Sequence, residues 1–250
     1  MKFLDKYNRN ARYYPVLLAL LPLGIVVASF FPDSFSGSKI LSGLLTSGGL
    51  TLFLAHLGRD RGKKIEPLLY EKWGGKPTTL TLNPNTTTLN KAALKRIHAN
   101  LGQLLGHPLP SEEEAASSPT EANAQYDSTT AYLREQTRNT KSFPLVYEEL
   151  INYGFRRNTL GLKPLGILTS SLGALAIILH DLPPTKAEIN LAWATSLPAI
   201  SFFSFSLCLL LLISWIFIIR EPWVKTVAYA YAERLISSAE TIKQTKIGDN

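Results

Sequence analysis

The sequence predicts a mainly α-helical integral membrane protein, with two transmembrane helices on each side of a mostly helical cytoplasmic insert. Two observations lead to this fold class. Long uncharged apolar runs lie towards both ends of the chain, whereas its middle is polar and charged. Lysines and arginines cluster at alternate ends of these runs, which is the pattern at the cytoplasmic ends of membrane spans. The mean hydropathy of +0.06 hides this segregation because it averages the two kinds of segment.

Four apolar runs are long enough to cross a bilayer. At 1.5 Å per residue, the first run reaches about 28 Å, close to the roughly 30 Å of the hydrocarbon core. It ends in Phe30-Phe31-Pro32 instead of small residues, which favours a span over a cleaved signal peptide. The first two spans occupy segment 1–57 and the last two occupy segment 159–219. The predicted spans are 13–31, 40–57, 160–180 and 196–219.

The insert, residues 58–158, is predicted to be a sensor or assembly domain built mostly from helices. Ser111 followed by three glutamates is typical of a capped helix start. The run TTLTL at 78–82 alternates β-formers before an Asn-Pro-Asn turn, which favours a strand or short β-hairpin. Segment 220–250 predicts a cytoplasmic amphipathic helix. Helices are predicted near 66–73, 89–105, 120–138 and 145–157.

Basic residues set the predicted orientation. They are dense in the N-terminal flank, at both ends of the insert and in the C-terminal segment, whereas each short link carries one, Lys39 or Lys186. Because cytoplasmic flanks carry the excess of Lys and Arg, both termini and the insert are predicted to be cytoplasmic. The formal charge of +7, from 26 Lys+Arg against 19 Asp+Glu, is thus largely a topological signal.

The cations at the two junctions of the insert are also candidate ligand-binding or gating residues. Two interpretations stay open. They are ordinary membrane flanks, or they hold a phosphate-bearing ligand. The candidates are Arg59, Arg61, Lys63 and Lys64 at the first junction, with Arg156 and Arg157 at the second.

Hydroxyl side chains within the spans are candidates for lining a pore. They equally suit ordinary helix packing, in which small and hydroxylated residues let helices approach and bond across the interface. Four helices alone rarely enclose a water-filled path, so a pore implies a homo-oligomer. The candidates are Ser42, Thr46, Ser47, Thr169, Ser170 and Ser204.

Enzyme and transporter signatures are lacking in the sequence, and no catalytic residue, metal or cofactor is predicted. The segment Gly74-Gly75-Lys76-Pro77 resembles only the last part of a phosphate-binding loop. Proline stands where such a loop has the Ser or Thr that contacts magnesium. The single cysteine, Cys208, excludes an intramolecular disulfide. Apart from Lys163 near one end and the span-closing histidines His56 and His180, the spans contain no acidic or basic residue, which argues against an ion-coupled transporter.

Two stretches resemble a known family. RGKKIEPLLYEKWGGKPTTLTL (61–82) and YLREQTRNTKSFPLVYEELINYGFRRNTLGLKPLGI (132–167) resemble the HalA-like four-span membrane effectors of the Hailong anti-phage defence system. The resemblance implies a homotetrameric ion channel in the bacterial inner membrane. It also implies gating by short single-stranded DNA oligomers from a partner nucleotidyltransferase, and depolarisation of infected cells.

Two functions from different classes therefore remain. The first is an oligomeric, ligand-gated ion channel acting as a defence effector through its cytoplasmic insert. The second is a non-conducting membrane anchor or scaffold whose insert recruits a soluble partner. Both place the chain in a lipid bilayer and neither requires catalysis.

Overall fold

The computed structural model describes residues 5–31, 37–183, 193 and 197–242, and of residues 37–51 the backbone only. The described part is mostly helical and contains no β-strand. Its helices are α1 (Asn8–Phe30, opening with a π-helical stretch), α2 (Gly37–Trp73), α3 (Pro77–Leu82), α4 (Lys91–Leu105), α5 (Glu112–Ser117), α6 (Pro119–Gln136), α7 (Pro144–Gly161), α8 (Lys163–His180), α9 (Ala199–Ile218, closing with a π-helical stretch) and α10 (Glu221–Ser237).

The chain divides into two compact units. The membrane unit comprises Met1–Ile65 and Gly154–Val224, and the insert unit comprises Glu66–Tyr153 and Lys225–Asn250. The C-terminal segment, predicted as a separate amphipathic helix, thus contributes to the insert unit. Leu235 and Ile236 of α10 are buried in its core.

Three helices of the membrane unit are long and apolar enough to span a bilayer: α1, α8 and α9. They correspond to the first, third and fourth predicted runs and indicate a membrane protein. The second predicted run, 40–57, lies within α2. Its candidate hydroxyls Ser42, Thr46 and Ser47 fall outside the described side chains. The four-span count therefore remains a prediction.

Small and hydroxylated residues bring the three apolar helices together. A Cβ on Gly166 of α8 would lie 2.1 Å from the ring of Trp215 in α9, so the indole packs directly on the glycine backbone. The Thr169 hydroxyl donates to the Ala19 carbonyl of α1 at 2.6 Å. This packing matches membrane interfaces, where close approach and hydrogen bonds replace a hydrophobic driving force.

Large apolar side chains build the core of the insert unit. Leu101 of α4, together with Tyr126 and Leu133 of α6, is fully buried there. The Tyr126 hydroxyl donates to the Pro110 carbonyl at 3.0 Å, so its polar end is satisfied inside the core. Ser111 caps α5 in a capping box with Glu114, as the sequence predicts.

The β-strand or hairpin predicted at 78–82 is wrong, because these residues form α3. Pro77 occupies the first turn, where its fixed φ suits a helix. The Thr81 hydroxyl donates back to the Pro77 carbonyl at 2.7 Å, and the Thr79 hydroxyl bonds to Asp127 of α6. Buried hydrogen bonds thus override the β-propensity of threonine.

The other predicted elements of the insert are helical as expected, with one difference. The segment 66–73 is not a separate helix: it is the end of α2, which runs unbroken from Gly37 to Trp73. Glycine weakens a helix in water. In α2, Gly58 and Gly62 instead allow neighbouring residues to pack closely against the helix.

Candidate functional site: a basic cluster at the base of the apolar helices

Six cations predicted from the sequence lie in the membrane unit, on two helices. Arg59, Arg61, Lys63 and Lys64 follow one another along α2, and Arg156 and Arg157 lie on α7. We refer to these six residues as the basic cluster. The structure brings the two groups together although nearly a hundred residues separate them along the chain.

Glycines set the contact between α2 and α7. A Cβ on Gly161 would lie 2.6 Å from the backbone nitrogen of Gly62, so the two backbones touch. A Cβ on Gly62 would lie 2.5 Å from Oδ1 of Asn158 and 3.4 Å from Nε of Arg157. Side chains at either glycine would therefore separate the helices that carry the cluster.

Asn158 is the polar centre of this contact and is 1% exposed. Its Nδ2 donates to the Ala11 carbonyl of α1 at 2.7 Å. Its Oδ1 accepts from Nε and Nη2 of Arg157 at 3.3 and 3.2 Å. One buried amide therefore joins α1 and α7 directly beside α2.

Helix α1 also packs closely against α7. A Cβ on Gly154 would lie 3.0 Å from the Cβ of Ala11 and 3.1 Å from the Tyr7 hydroxyl. The Arg12 guanidinium lies over the Tyr7 ring, with 5.5 Å between its Cζ and the ring centroid. Arg12 thus lies close to the same junction.

The two arginines of α7 make protein contacts. Arg157 is 8% exposed, which is rare for an arginine and requires hydrogen-bonding partners such as Asn158. Arg156 donates from Nη1 to the Trp223 carbonyl at 2.8 Å, and its Cζ lies 4.9 Å from the Trp223 ring centroid. These contacts hold α7 in place, so both arginines have a structural role.

The cations of α2 face outward. Arg61, Lys63 and Lys64 are exposed and Arg59 is partly exposed. The cluster therefore has two parts: fixed arginines on α7 and solvent-facing cations on α2. Only the α2 part presents free positive charge to a ligand, since neighbouring exposed cations attract phosphate-bearing molecules.

Lys163 has a different role at the same end of the helices. Its ammonium donates to the carbonyls of Ile216 and Ile219, at 3.0 and 2.9 Å. These carbonyls close α9, and a cation at a helix C-terminus is favoured by the helix dipole. Lys163 thus fastens the start of α8 to the end of α9.

The candidate pore hydroxyls of α8 and α9 are buried within the single chain. Thr169 bonds to Ala19, and the Ser204 hydroxyl lies 2.5 Å from that of Ser29 in α1. The Ser170 hydroxyl is buried, and the described residues offer it no hydrogen-bond partner. These positions therefore lie at helix contacts within one subunit.

Sequence reasoning missed the residues that assemble the cluster: Gly62, Gly161 and Asn158. One signal was available, because Gly58 and Gly62 form a small-xxx-small pair in the segment GRDRG. A Cβ on Gly58 would lie 2.9 Å from Leu162, which fits that reading. No local pattern marks Asn158, since its partners are distant in sequence.

The described residues contain no group of three or more His, Cys, Asp or Glu side chains arranged to hold a metal. Comparisons of this chain with protein-family models, with curated proteins and with solved structures find no match. The chemistry of the basic cluster itself is therefore the basis for a functional conclusion.

Proposed function

We propose that this protein is a membrane effector whose subunits assemble into an ion channel, gated by an anionic, phosphate-bearing ligand at the basic cluster. The observation that carries the proposal is the glycine contact of α2 with α7. It sets exposed cations of α2 directly beside a junction of helices that enter the apolar part of the membrane unit. The ligand class implied by the resemblance, short single-stranded DNA, has this charge.

Gating requires the ligand to bind the open and closed states differently. Phosphates bound by the exposed cations of α2 favour one spacing of this helix from α7 over another. Because the backbones touch at Gly62 and Gly161, a change in that spacing must also move Asn158 and its bond to α1. Ligand binding at the exposed cations of α2 is in this way coupled to the apolar helix α1.

The proposed topology has four spans, with the insert and both termini in the cytoplasm of a bacterial cell. Cysteine substitutions at Asp5 and Leu182 test it, after Cys208 is replaced by alanine. A membrane-impermeant maleimide added to intact cells is expected to label position 182 and not position 5. Labelling of position 5 would contradict the orientation.

Planar-bilayer recording of the purified full chain tests the function. Short single-stranded DNA oligomers are expected to change the conductance of the wild-type protein. Arg61→Gln, Lys63→Gln and Lys64→Gln together should abolish that response, because they remove the exposed charge. The matched control, Lys91→Gln with Lys95→Gln on α4, removes exposed cations of the insert unit and should respond normally.

Unchanged DNA responses in the α2 triple variant would overturn the assignment of the ligand site. Absence of any conductance, with or without oligomers, would overturn the channel itself. Arg156→Gln serves as a separate probe, since it releases α7 from Trp223 without removing an exposed cation of α2. It is expected to shift the ligand concentration that gives half-maximal response.

A non-conducting anchor or scaffold is the second candidate function. One observation favours it: the hydroxyls of Thr169 and Ser204 bond within the chain and do not form a polar face. Leakage of a small ion-reporting dye from liposomes distinguishes the two candidates. Retention of the dye alongside capture of a defined soluble partner by the insert would favour the scaffold.

A further inference from the structure

Two of the three apolar helices contain a π-helical stretch, and both stretches lie near the junction of α7 with α8. In α1 the stretch is Asn8–Tyr13, and in α9 it is Ser214–Ile218. At the end of the second stretch the Ile219 amide donates to the Ser214 carbonyl at 3.0 Å, five residues back instead of four. A π-helical turn thus holds one residue more than an α-helical turn, and such turns are frequent at functional sites.

Each π-helical stretch accepts hydrogen bonds from a side chain near that junction. The Asn158 amide donates to the Ala11 carbonyl of the first stretch at 2.7 Å. The Lys163 ammonium donates to the carbonyl of Ile216, in the second stretch, and to that of Ile219 just after it, at 3.0 and 2.9 Å. Because a hydrogen bond from a charged donor is roughly twice as strong as a neutral one, Lys163 holds its stretch the more firmly.

The π-helical stretch of α9 also contains a buried donor that is not satisfied. Trp215 is buried, and its ring packs against the backbone of Gly166 in α8. Its Nε1 is shielded from solvent and finds no acceptor among the described residues. A buried donor without an acceptor costs free energy, so this conformation of the stretch depends on outside contacts such as those of Lys163.

The chain just beyond the stretch is fixed. Ile219 is buried, and the Trp223 carbonyl accepts from Arg156 at 2.8 Å. If the π-helical turn becomes α-helical, the displacement therefore falls on the apolar part of α9, Ala199–Ile213. Replacing an i→i+5 bond by an i→i+4 bond moves that part by one residue position, which is a rotation of about 100° and a translation of about 1.5 Å.

Such a rotation would change which side chains of α9 contact α1. The Ser204 hydroxyl lies 2.5 Å from that of Ser29, and Ser201 is buried on the same helix. A rotation of about 100° takes both serines of α9 out of these positions. The hydroxyls that are buried inside one subunit here would then be available to other contacts.

We propose that the π-helical stretch of α9 is a conformational switch, which Lys163 holds in the state described here. Release of the two carbonyls lets the stretch become α-helical and rotates the apolar part of α9. In an oligomer, the hydroxyls of Ser201 and Ser204 can then line a pore. This last step rests on the proposed channel function, whereas the rotation itself does not.

Disulfide crosslinking between α1 and α9 tests the switch without any ligand or conductance. The full chain carries Ser29→Cys, Ser204→Cys and Cys208→Ala in nanodiscs, and copper–phenanthroline is the oxidant. Lys163→Met should slow crosslinking about tenfold, because hydrogen bonds from a charged group are lost. Lys163→Arg should stay near the normal rate. The matched control is Arg220→Met, which removes the neighbouring exposed cation and should crosslink normally.

Deletion of Phe217 distinguishes a switch from a simple loss of stability. It turns the bond between Ile219 and Ser214 into an i→i+4 bond without rotating α9, and so removes the extra residue that permits rotation. Added to Lys163→Met, the deletion should restore the normal crosslinking rate, whereas Phe217→Ala, which keeps the chain length, should not. A normal rate in Lys163→Met alone, or a slow rate that the deletion does not correct, would overturn the proposal.

Two further variants decide the question if Lys163→Met does not yield folded protein. Lys163→Gln keeps an uncharged donor and should slow crosslinking by a smaller factor, again corrected by the deletion. With Lys163 unchanged, the Phe217 deletion should crosslink as fast as Phe217→Ala. Slower crosslinking by the deletion would contradict the rotation.

Planar-bilayer recording of the Phe217 deletion separates the switch from the channel proposal. This variant should bind short single-stranded DNA and show no change in conductance. The expected crosslinking rates without a DNA response in the wild-type protein would support the switch and overturn the channel. A normal DNA response in the deletion would overturn the role of the switch in gating.

Discussion

The two compact units are both built from α-helices, yet they differ in how many large apolar side chains they leave exposed. The membrane unit packs on glycines and hydroxyls and leaves large apolar side chains outside: Phe203 is 69% exposed and Phe217 is 64% exposed. Among its described residues the insert unit exposes few large apolar side chains, and Leu101 and Tyr126 are fully buried in its core. Because an apolar surface of this kind is unfavourable in water, the difference shows which unit belongs in lipid.

The comparison also separates two uses of glycine. In the membrane unit, Gly62, Gly161 and Gly166 make room for another helix. In the insert unit, Gly74 and Gly106 have φ values of 81° and 77° and end helices in the left-handed region. The first use is a matter of packing, and the second is a matter of backbone conformation.

The largest expected effect distinguishes a buried leucine of the insert unit from an exposed leucine of the membrane unit. Leu101→Ala should lower the free energy of unfolding of the insert unit by about 2–5 kcal/mol, because it leaves a cavity in a packed core. Leu168→Ala on α8, where the side chain is 54% exposed, should change stability by about 0.5 kcal/mol or less. Hydrogen–deuterium exchange of α4 and α8 in nanodiscs measures both. Similar losses of stability in the two variants would contradict this difference between the units.

The next effect tests the packing glycines. Gly166→Ala should destabilise the membrane unit by about 1–3 kcal/mol, because its Cβ meets the Trp215 ring. Gly24→Ala on α1 has no atom within 4 Å of its Cβ and should be neutral or stabilising by up to about 1 kcal/mol. Thermal melting followed by circular dichroism compares the pair. A stable Gly166→Ala protein would contradict the helix contact.

A smaller effect concerns helix capping in the insert unit. Ser111→Ala removes the side chain that accepts from the Glu114 backbone, and should cost about 1 kcal/mol. The exposed Ser128 within α6 is the matched control, since it caps no helix. Exchange protection of α5 amides reports the difference. Equal protection in the two variants would show that the cap is unimportant.

The smallest effect is a pH dependence of the insert unit. Burial lowers the pKa of His98 below its ordinary value of 6.5, against the opposing effect of its bond to the Leu82 carbonyl. The unfolded chain therefore binds a proton that the folded chain does not. Stability should be constant above pH 6.5 and fall as the pH drops below it.

His98→Gln is the control for that prediction. It should reduce the loss of stability between pH 7 and pH 5, measured by denaturant unfolding of the full chain. A wild-type protein that becomes more stable over this range would contradict the burial of a neutral imidazole.

The sequence predicts the apolar helices and most of the insert because periodicity and caps are local signals. The TTLTL segment fails because its outcome depends on Asp127, which is distant along the chain. The sequence identifies the cations of the cluster as candidates because they are dense at the ends of the insert. It does not predict that the two groups come together, because that depends on Asn158 and on glycines that make contact only in the folded chain.

The most direct test of the contrast between the units is the depth of single nitroxide labels at Phe203 and Lys95, measured in nanodiscs by electron paramagnetic resonance. Phe203 lies on the exposed apolar face of α9, and Lys95 is exposed on α4 of the insert unit. The label at 203 is expected to collide with oxygen and not with a water-soluble nickel chelate, and the label at 95 should do the opposite. Free access of the nickel chelate to position 203 would contradict the assignment of the membrane unit to lipid.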